Sequence, residues 1–552
     1  MRRQVNEGHG HGRGRRSQSI QSRRAVLCGL AAAAADVPSI GAAHAQQAKG
    51  ELSLALAFEP SSIDPHFHNT TPNKGLARNI FEPLVLQDET QRLIPGLATG
   101  WKTESDTAWR FELRRGVTWH DGSPFTADDV VFTLARAVNV PNSPSSFAGF
   151  IHGKSAEKID DHSVRIRTAT PQPQLPIDLS TFGIVSVKHG RDATTADYNS
   201  GKAAIGTGPY RFAKFTPGDA ITLDRFDTYW GGRPAWSRVN IKPIKSDPAR
   251  VAALLAGNVD LIEFVPPADV ARLKQDARIR VVSGASNRIL YIHLDQFRDQ
   301  SPYVTAKDGS AIKNPLRDVR VRRALSLAIN RPVLVERIMD GEAQPAHQFM
   351  PDFFFGTSRR LRPITVDATA ARRLLTEAGF GDGFRLTIHG PINRYSGDTK
   401  IIEAIAQMWT RIGIETRVET LPPAIFFTRG STGGKDGTPE FSALLAGWAS
   451  AAGAASDGMR ALVASFDAKS GLGASNRGRY ANATFDRALA AALATIDDGR
   501  RADALARAGE IAIEDVAIIP IIYFTNTWAM RKELDMPART DEYTLASAVR
   551  SA

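Results

Sequence analysis

Few residue groupings in this sequence have the types and spacing to do chemistry. His66-Phe67-His68 offers two imidazoles to a metal, since residues two apart share one face of a strand. The pair follows Asp64-Pro65, which favours a loop instead. His120-Asp121-Gly122 offers an acid and a base, but neighbours in a D-G turn point apart, which favours a structural turn. No H-E-x-x-H, P-loop, kinase set, strand-bound G-x-G-x-x-G or G-x-S-x-G is present. A triad gathered from distant residues stays open. The single cysteine, Cys28, excludes both an intrachain disulfide framework and a thiolate zinc cluster. No cofactor, metal site or catalytic residue is therefore assigned.

The aromatic residues are more suggestive than the titratable ones. There are 26 Phe, 8 Trp and 9 Tyr, many beside Gly or Pro, as in Tyr229-Trp-Gly-Gly232, Gly447-Trp448 and Gly208-Pro-Tyr210. Most such rings fill cores, yet rings at the mouths of strands are what a ligand cleft uses. The composition is globular, with 42% hydrophobic and 23% charged residues over a length of 552. That length suffices for about three or four domains.

The net charge of +11 comes from 69 Lys and Arg against 58 Asp and Glu. Seven of those arginines and two of the acids fall in residues 1–45, leaving 62 against 56, intermixed, in the remainder. That balance excludes the clustered basic surface nucleic acid requires.

Residues 1–45 have the three parts of a secretory signal: a basic start, the apolar run Ala25 to Ala35, and an Ala43-His-Ala45 end. Arg23-Arg24 and the weak, Ala-rich centre resemble a twin-arginine signal. A basic tail is the alternative. Cys28 directly follows Ala25-Val-Leu27 beside the arginines, so it lacks the full apolar run a lipoprotein anchor needs. Cleavage near Ala45 would leave a cysteine-free chain in the periplasm.

The rest alternates short strands and helices. Glu51 to Phe58 alternates as a first strand, and Trp109 to Leu113 places Trp109, Phe111 and Leu113 on one face. A helix begins after Thr126 as N-cap, with Asp128 and Asp129 in its first turn and Val130, Val131 and Leu134 as its stripe. Helix–Gly–strand units follow: Asp247 onward, Gly257, then Val259–Phe264; Ala370–Ala378, Gly379, then Phe384–Ile388; Lys400–Ile412, Gly413, then Ile414–Glu419. Arg500–Glu514 reads as a late helix before an apolar strand, Ile518–Phe524. Such repetition predicts α/β lobes with covered sheets. The closing strand must pair with a sheet already built, so the C-terminus returns to an early lobe.

Read together, these segments resemble the family 5 extracellular solute-binding proteins, the oligopeptide, dipeptide and nickel receptors of ABC importers. The resemblance rests on Phe58-Glu-Pro-Ser-Ser-Ile-Asp-Pro65, Asn79-Ile-Phe-Glu-Pro-Leu-Val85 and Ile94-Pro-Gly-Leu-Ala98. It is densest over Phe111-Glu-Leu-Arg-Arg-Gly-Val-Thr-Trp-His-Asp-Gly-Ser-Pro-Phe-Thr-Ala-Asp-Asp-Val130. Gly206-Thr-Gly-Pro-Tyr210, Ala256-Gly-Asn-Val-Asp260, Val319-Arg-Val-Arg-Arg-Ala-Leu325 and Ala371 to Gly379 continue it in order.

The resemblance implies a two-lobed α/β periplasmic-binding-protein-like fold of class II type, with an extra domain inserted in the first lobe. The expected division is lobe I from 46–76, 201–283 and 515–552, the inserted domain 77–200, and lobe II 284–514. It implies a monomeric receptor, not an enzyme, that binds a peptide or peptide-like solute by hinge closure and delivers it to ABC permease subunits. A chelated metal or other small solute is the alternative, with an exported hydrolase or a chaperone lacking a permease as rivals.

Two strand ends are the implied ligand contacts: Phe58-Glu59, and Trp448-Ala449-Ser450. Peptide-binding members often carry an acid shortly after that Trp to hold the α-amino group; here none occurs until Asp457. Either Asp457 or Glu59 substitutes, or the ligand has no free α-amino group there. Asp457 also suits a helix N-cap before Gly458 to Leu462.

Overall fold

The computed structural model describes residues 50–145 and 147–552. The expectations for residues 1–45, Cys28 included, lie outside them. Among the described residues, no helix is long and apolar enough to cross a membrane.

The first strand, Glu51–Leu56, is buried at its last five positions. It runs parallel to Arg238–Pro243 on one side and to Leu261–Ile262 on the other. Leu52, Leu54 and Leu56 enter one apolar layer and Ala55 the opposite one, so both faces are covered. The helix Asp247–Leu255 supplies Val251 and Leu254 to the second layer, and Gly257 ends the turn at φ +75°. The strand expected over Val259–Phe264 shrinks to Leu261–Ile262. Its flanking carboxylates explain this: Asp260 accepts from the Ser53 N–H at 2.8 Å and Glu263 from the Ala57 N–H at 3.0 Å. These side chains take N–H groups of the first strand, while the Asp260 N–H still donates to the Ser53 carbonyl at 2.8 Å, and Phe264 then turns away at φ +48°.

A separate antiparallel sheet holds Ala98–Ser105, Ala108–Leu113, Ser163–Thr168 and Lys154–Asp160 in that order. Trp109, Phe111 and Leu113 are buried there, with Arg110 and Glu112 on the opposite face as the alternation requires. The adjoining helix, Ala127–Ala137, has Thr126 as N-cap, and the Asp129 carboxylate accepts the Thr126 N–H at 3.0 Å. Its buried stripe is Val130, Thr133, Leu134 and Ala137, whereas Val131 is only half-buried.

In the other half, Arg385–Pro391, Ala443–Ala449 and part of Ile279–Leu294 form a sheet between two apolar layers. Two long strands, Ile279–Leu294 and Ile519–Arg531, connect the halves and pair antiparallel with each other. Their register breaks between Ala285 and Ile289, leaving Ser286, Asn287 and Arg288 outside that pairing. Ile519–Arg531 also pairs with Leu261–Ile262 beside the first strand, so the closing strand does return to the sheet that opens the fold.

Candidate ligand cleft at the crossing strands

A cleft of about 1060 Å³ opens where the halves meet. One wall begins at the end of the first strand, where the chain leaves the ladder as Ala57-Phe58-Glu59. The Phe58 ring is 43% exposed and meets the Phe264 ring edge-on at 5.6 Å. The Glu59 carboxylate accepts the Gly218 N–H at 2.5 Å and pairs with Lys245 at 3.1 Å. Those two contacts, the backbone bond first, hold its pKa below the ordinary value.

The facing wall is the loop before the helix Asp398–Arg411. Asp398 accepts the N–H groups of Arg394 and Tyr395 at 2.9 and 3.0 Å, which fixes the loop. Tyr395 donates its hydroxyl to the Gly447 carbonyl at 3.2 Å, and a Cβ at 447 would lie 2.7 Å from its ring. The close approach accounts for glycine there. The Arg394 guanidinium lies 5.1 Å from the Tyr395 ring centre and 5.9 Å from that of Phe58 on the other wall. Among the described residues it forms no ion pair. Backbone strain gathers on both walls, at Phe264 (φ +48°), Asp340 (φ +47°) and Asn393 (φ +57°).

Between the walls stand Arg288 and Glu263. Arg288 falls at the register break and pairs with Glu542 through two bonds of 2.7 Å. Glu263 accepts from Thr544 at 2.5 Å and from the Ala57 N–H. Burial pushes its carboxyl up to about 7, against those hydrogen bonds.

Phe58 and Glu59 thus line the cleft, while Trp448, Ala449, Ser450 and Asp457 do not. Trp448 sits opposite Ile289 in the ladder and packs into the layer on the other face of its sheet. Its indole N–H is buried and has no partner among the described residues. Ala449 pairs with Arg288 in the same ladder. Ser450 is buried, and its hydroxyl reaches the Asp457 carboxylate at 3.1 Å. Asp457 also accepts the Ala452 N–H at 3.2 Å; it lies in the first turn of Ala455–Gly458, whose N-cap is Ala454, so Asp457 is not the cap.

Sequence reasoning missed the glutamines that meet this loop. Gln91 donates to the Ser450 carbonyl at 3.2 Å and Gln87 to the Ala452 carbonyl at 3.4 Å. Asn287, at the register break, joins them through Gln91 at 2.9 Å and Ser450 at 2.7 Å. Nothing in a polar loop announces a partner so distant along the chain, so no local signal marks them.

The chemistry-bearing pairs separate in space. His66 is hydrogen-bonded to the Gly183 carbonyl at 2.8 Å, whereas His68 pairs with the Ser61 hydroxyl. His120 bonds to the Gly208 carbonyl, and Asp121 is occupied by Lys188 and His189. No group of three or more metal-ligating side chains occurs among the described residues.

The family profile described as bacterial extracellular solute-binding proteins, family 5 Middle, matches residues 92–470. The chain belongs to that family. Its likeness to the periplasmic murein peptide-binding protein MppA of Escherichia coli (strain K12) is 27% identity over 519 residues, covering 89% of this chain and 90% of MppA. The solved DppA of Helicobacter pylori in complex with peptide STSA superimposes with a TM-score of 0.73 at 22% identity, over 91% of this chain and 98% of that one. NikZ of Campylobacter jejuni in complex with Ni(L-His) gives 0.75 at 20%, over 91% and 100%. The two-lobed family 5 fold accounts for the architecture above: two halves, two crossing strands and a cleft at the crossing. The chain is a solute-binding protein by family.

Proposed function

We propose that this family 5 protein is a periplasmic receptor that captures a peptide or peptide-like solute in the cleft at the crossing strands. It then hands the solute to the permease subunits of an ABC importer. The observation that carries the reading is the cleft itself. It is about 1060 Å³, walled by rings from both halves, and edged by the half-exposed Phe58 and by Arg394, which forms no ion pair among the described residues. An apolar body packs on Phe58, Phe264 and Tyr395, and its polar groups meet Arg394 and main-chain atoms at the strand ends.

Phe58 and Glu59 are ligand contacts in this reading, with Glu59 held ready by Lys245 rather than committed to the core. Trp448, Ala449, Ser450 and Asp457 act from behind, shaping the loop that the glutamines grip. Lobe I comprises 46–76, 201–283 and 515–552, the inserted domain 77–200, and lobe II 284–514. The register break at residues 286–288 is the hinge. The protein acts as a monomer after removal of residues 1–45 and catalyses no reaction.

Scattering and thermal unfolding with a panel of di-, tri- and tetrapeptides, opines, sugars and Ni(L-His) test this. At least one peptide is expected to compact the protein and raise its melting temperature. Response to Ni(L-His) alone would replace the peptide with a chelate, and silence across the panel would remove the receptor reading.

A further inference from the structure

The hairpin of Val85–Gln87 and Leu93–Pro95 turns at Asp88, whose carboxylate accepts the N–H groups of Thr90 and Arg92 at 2.8 and 2.9 Å. The turn holds Gln91 at φ +62°, strain that persists where the surroundings fix it. Both polar atoms of the buried Gln91 amide are in use. Its nitrogen donates to the carbonyls of Ser450 and Ala451 at 3.2 and 3.3 Å, and its oxygen accepts from Asn287 at 2.9 Å and Thr540 at 3.3 Å. One side chain thus joins its hairpin to three distant stretches of chain. Gln87 donates to the Ala452 carbonyl at 3.4 Å and Gln174 to the Ser456 hydroxyl. A Cβ at Gly453 would lie 2.7 Å from that of Gln91, so the two chains meet side by side. None of the three glutamines lines the cleft.

Residues 77–200 meet their two neighbours by different chemistry. Ile80, Phe81 and Tyr198 share one apolar layer with Leu52 and Leu54 of the first strand. Toward residues 450–456, among the described residues, no apolar layer is shared and no ion pair crosses. Opening an apolar contact exposes its surface to water, whereas neutral amide hydrogen bonds exchange for bonds to water at small net cost. The first contact is a fixed joint. The second is detachable.

Building on the receptor reading, in which lobe II swings about residues 286–288, we propose that Gln91 is the latch of the closed form. Lobe I and the inserted domain move as one piece, and closure brings the 450–456 loop onto the glutamines. Gln91 is a positioning residue: it touches no solute and acts through Ser450, Ala451 and the hinge residue Asn287. Its bonds to the loop form after the lobes have closed. It therefore sets how long a solute stays rather than how fast it enters.

Stopped-flow kinetics and melting temperatures of the whole protein with dialanine, trialanine and tetraalanine test this. Gln91→Ala should speed dissociation of the best-bound peptide about tenfold, the size of one or two neutral hydrogen bonds. Association should stay within about twofold of the wild type. The melting temperature without peptide should stay within about 2 °C, while the rise that peptide gives should shrink. Unchanged dissociation, or slowed association in its place, overturns the latch while leaving reception intact. An equal fall of the melting temperature with and without peptide also overturns it, since a scaffold residue acts on both states. Gln91→Glu keeps the acceptor and loses both donations, so it should speed dissociation likewise; wild-type kinetics in that variant would take the latch away from the amide. No binding of any of the three peptides by the wild type fails the reception of peptides, and the inference falls with it.

Discussion

Two cations in this protein, Arg136 and Arg394, are held in opposite ways. Arg136 donates to both oxygens of Asp64 at 3.0 and 2.7 Å, reaches His66 at 2.8 Å and lies over the Tyr198 ring at 4.6 Å. Thr195 completes the Asp64 carboxylate at 2.9 Å. Burial pulls the Asp64 pKa up, but the hydrogen bond and charge of Arg136 outweigh it and hold the carboxyl low. Burial leaves His66 neutral, down to about 4. Arg394 on the cleft wall, by contrast, forms no ion pair among the described residues. The difference separates scaffold from site. Charges the fold needs for itself are closed within it, and the charge left open lines the cleft.

Breaking the closed cluster should have the largest effect. Asp64→Ala strands a buried guanidinium and should cost about 3–5 kcal/mol of stability in urea unfolding. A cost below about 1 kcal/mol would mean that Arg136 finds water and the contrast is false.

Glu263 comes next, because it is closed by hydrogen bonds yet carries no ion-pair partner among the described residues. The fold keeps its proton to about pH 7, whereas the ordinary value is 4.5, so the folded state binds more protons between those limits. Stability should therefore fall as pH rises through that window, by about 1.4 kcal/mol for each pH interval of one. In Glu263→Gln the slope attributable to this group should vanish; an unchanged slope would place the proton elsewhere.

A smaller effect is expected at Phe58. With 43% of its surface exposed, Phe58→Ala should leave the melting temperature within about 1 °C, since surface substitutions rarely change stability by more than about 0.5 kcal/mol. It should nevertheless weaken the best-bound peptide by about tenfold, the value of one ring's burial. Loss of stability without loss of affinity would make Phe58 a core residue. The smallest effect belongs to surface pairs such as Lys202–Asp197, exposed by 79% and 22%: Lys202→Ala should change stability by less than about 0.5 kcal/mol.

Much of the scaffold is legible in the sequence because periodicity and turn chemistry are local. Trp109, Phe111 and Leu113 alternate, Thr126 and Asp129 cap a helix, and Gly379 at φ +87° ends one. Phe58 and Glu59 can be placed at the cleft because they sit at a strand end. Trp448 cannot, since which face of its strand meets the cleft depends on register, and adjacent residues take opposite faces. Gly447 meets Tyr395, and Trp448 the far layer. Arg394 escapes sequence reasoning because its loop takes its place only once the helix Asp398–Arg411 is docked.

Native mass spectrometry of the protein purified from its own cells, never unfolded, tests the central claim most directly. The account predicts a retained small solute that leaves on denaturation and is lost in Phe58→Ala. A solute retained equally by both proteins would contradict it, as would an empty protein that also ignores the peptide panel.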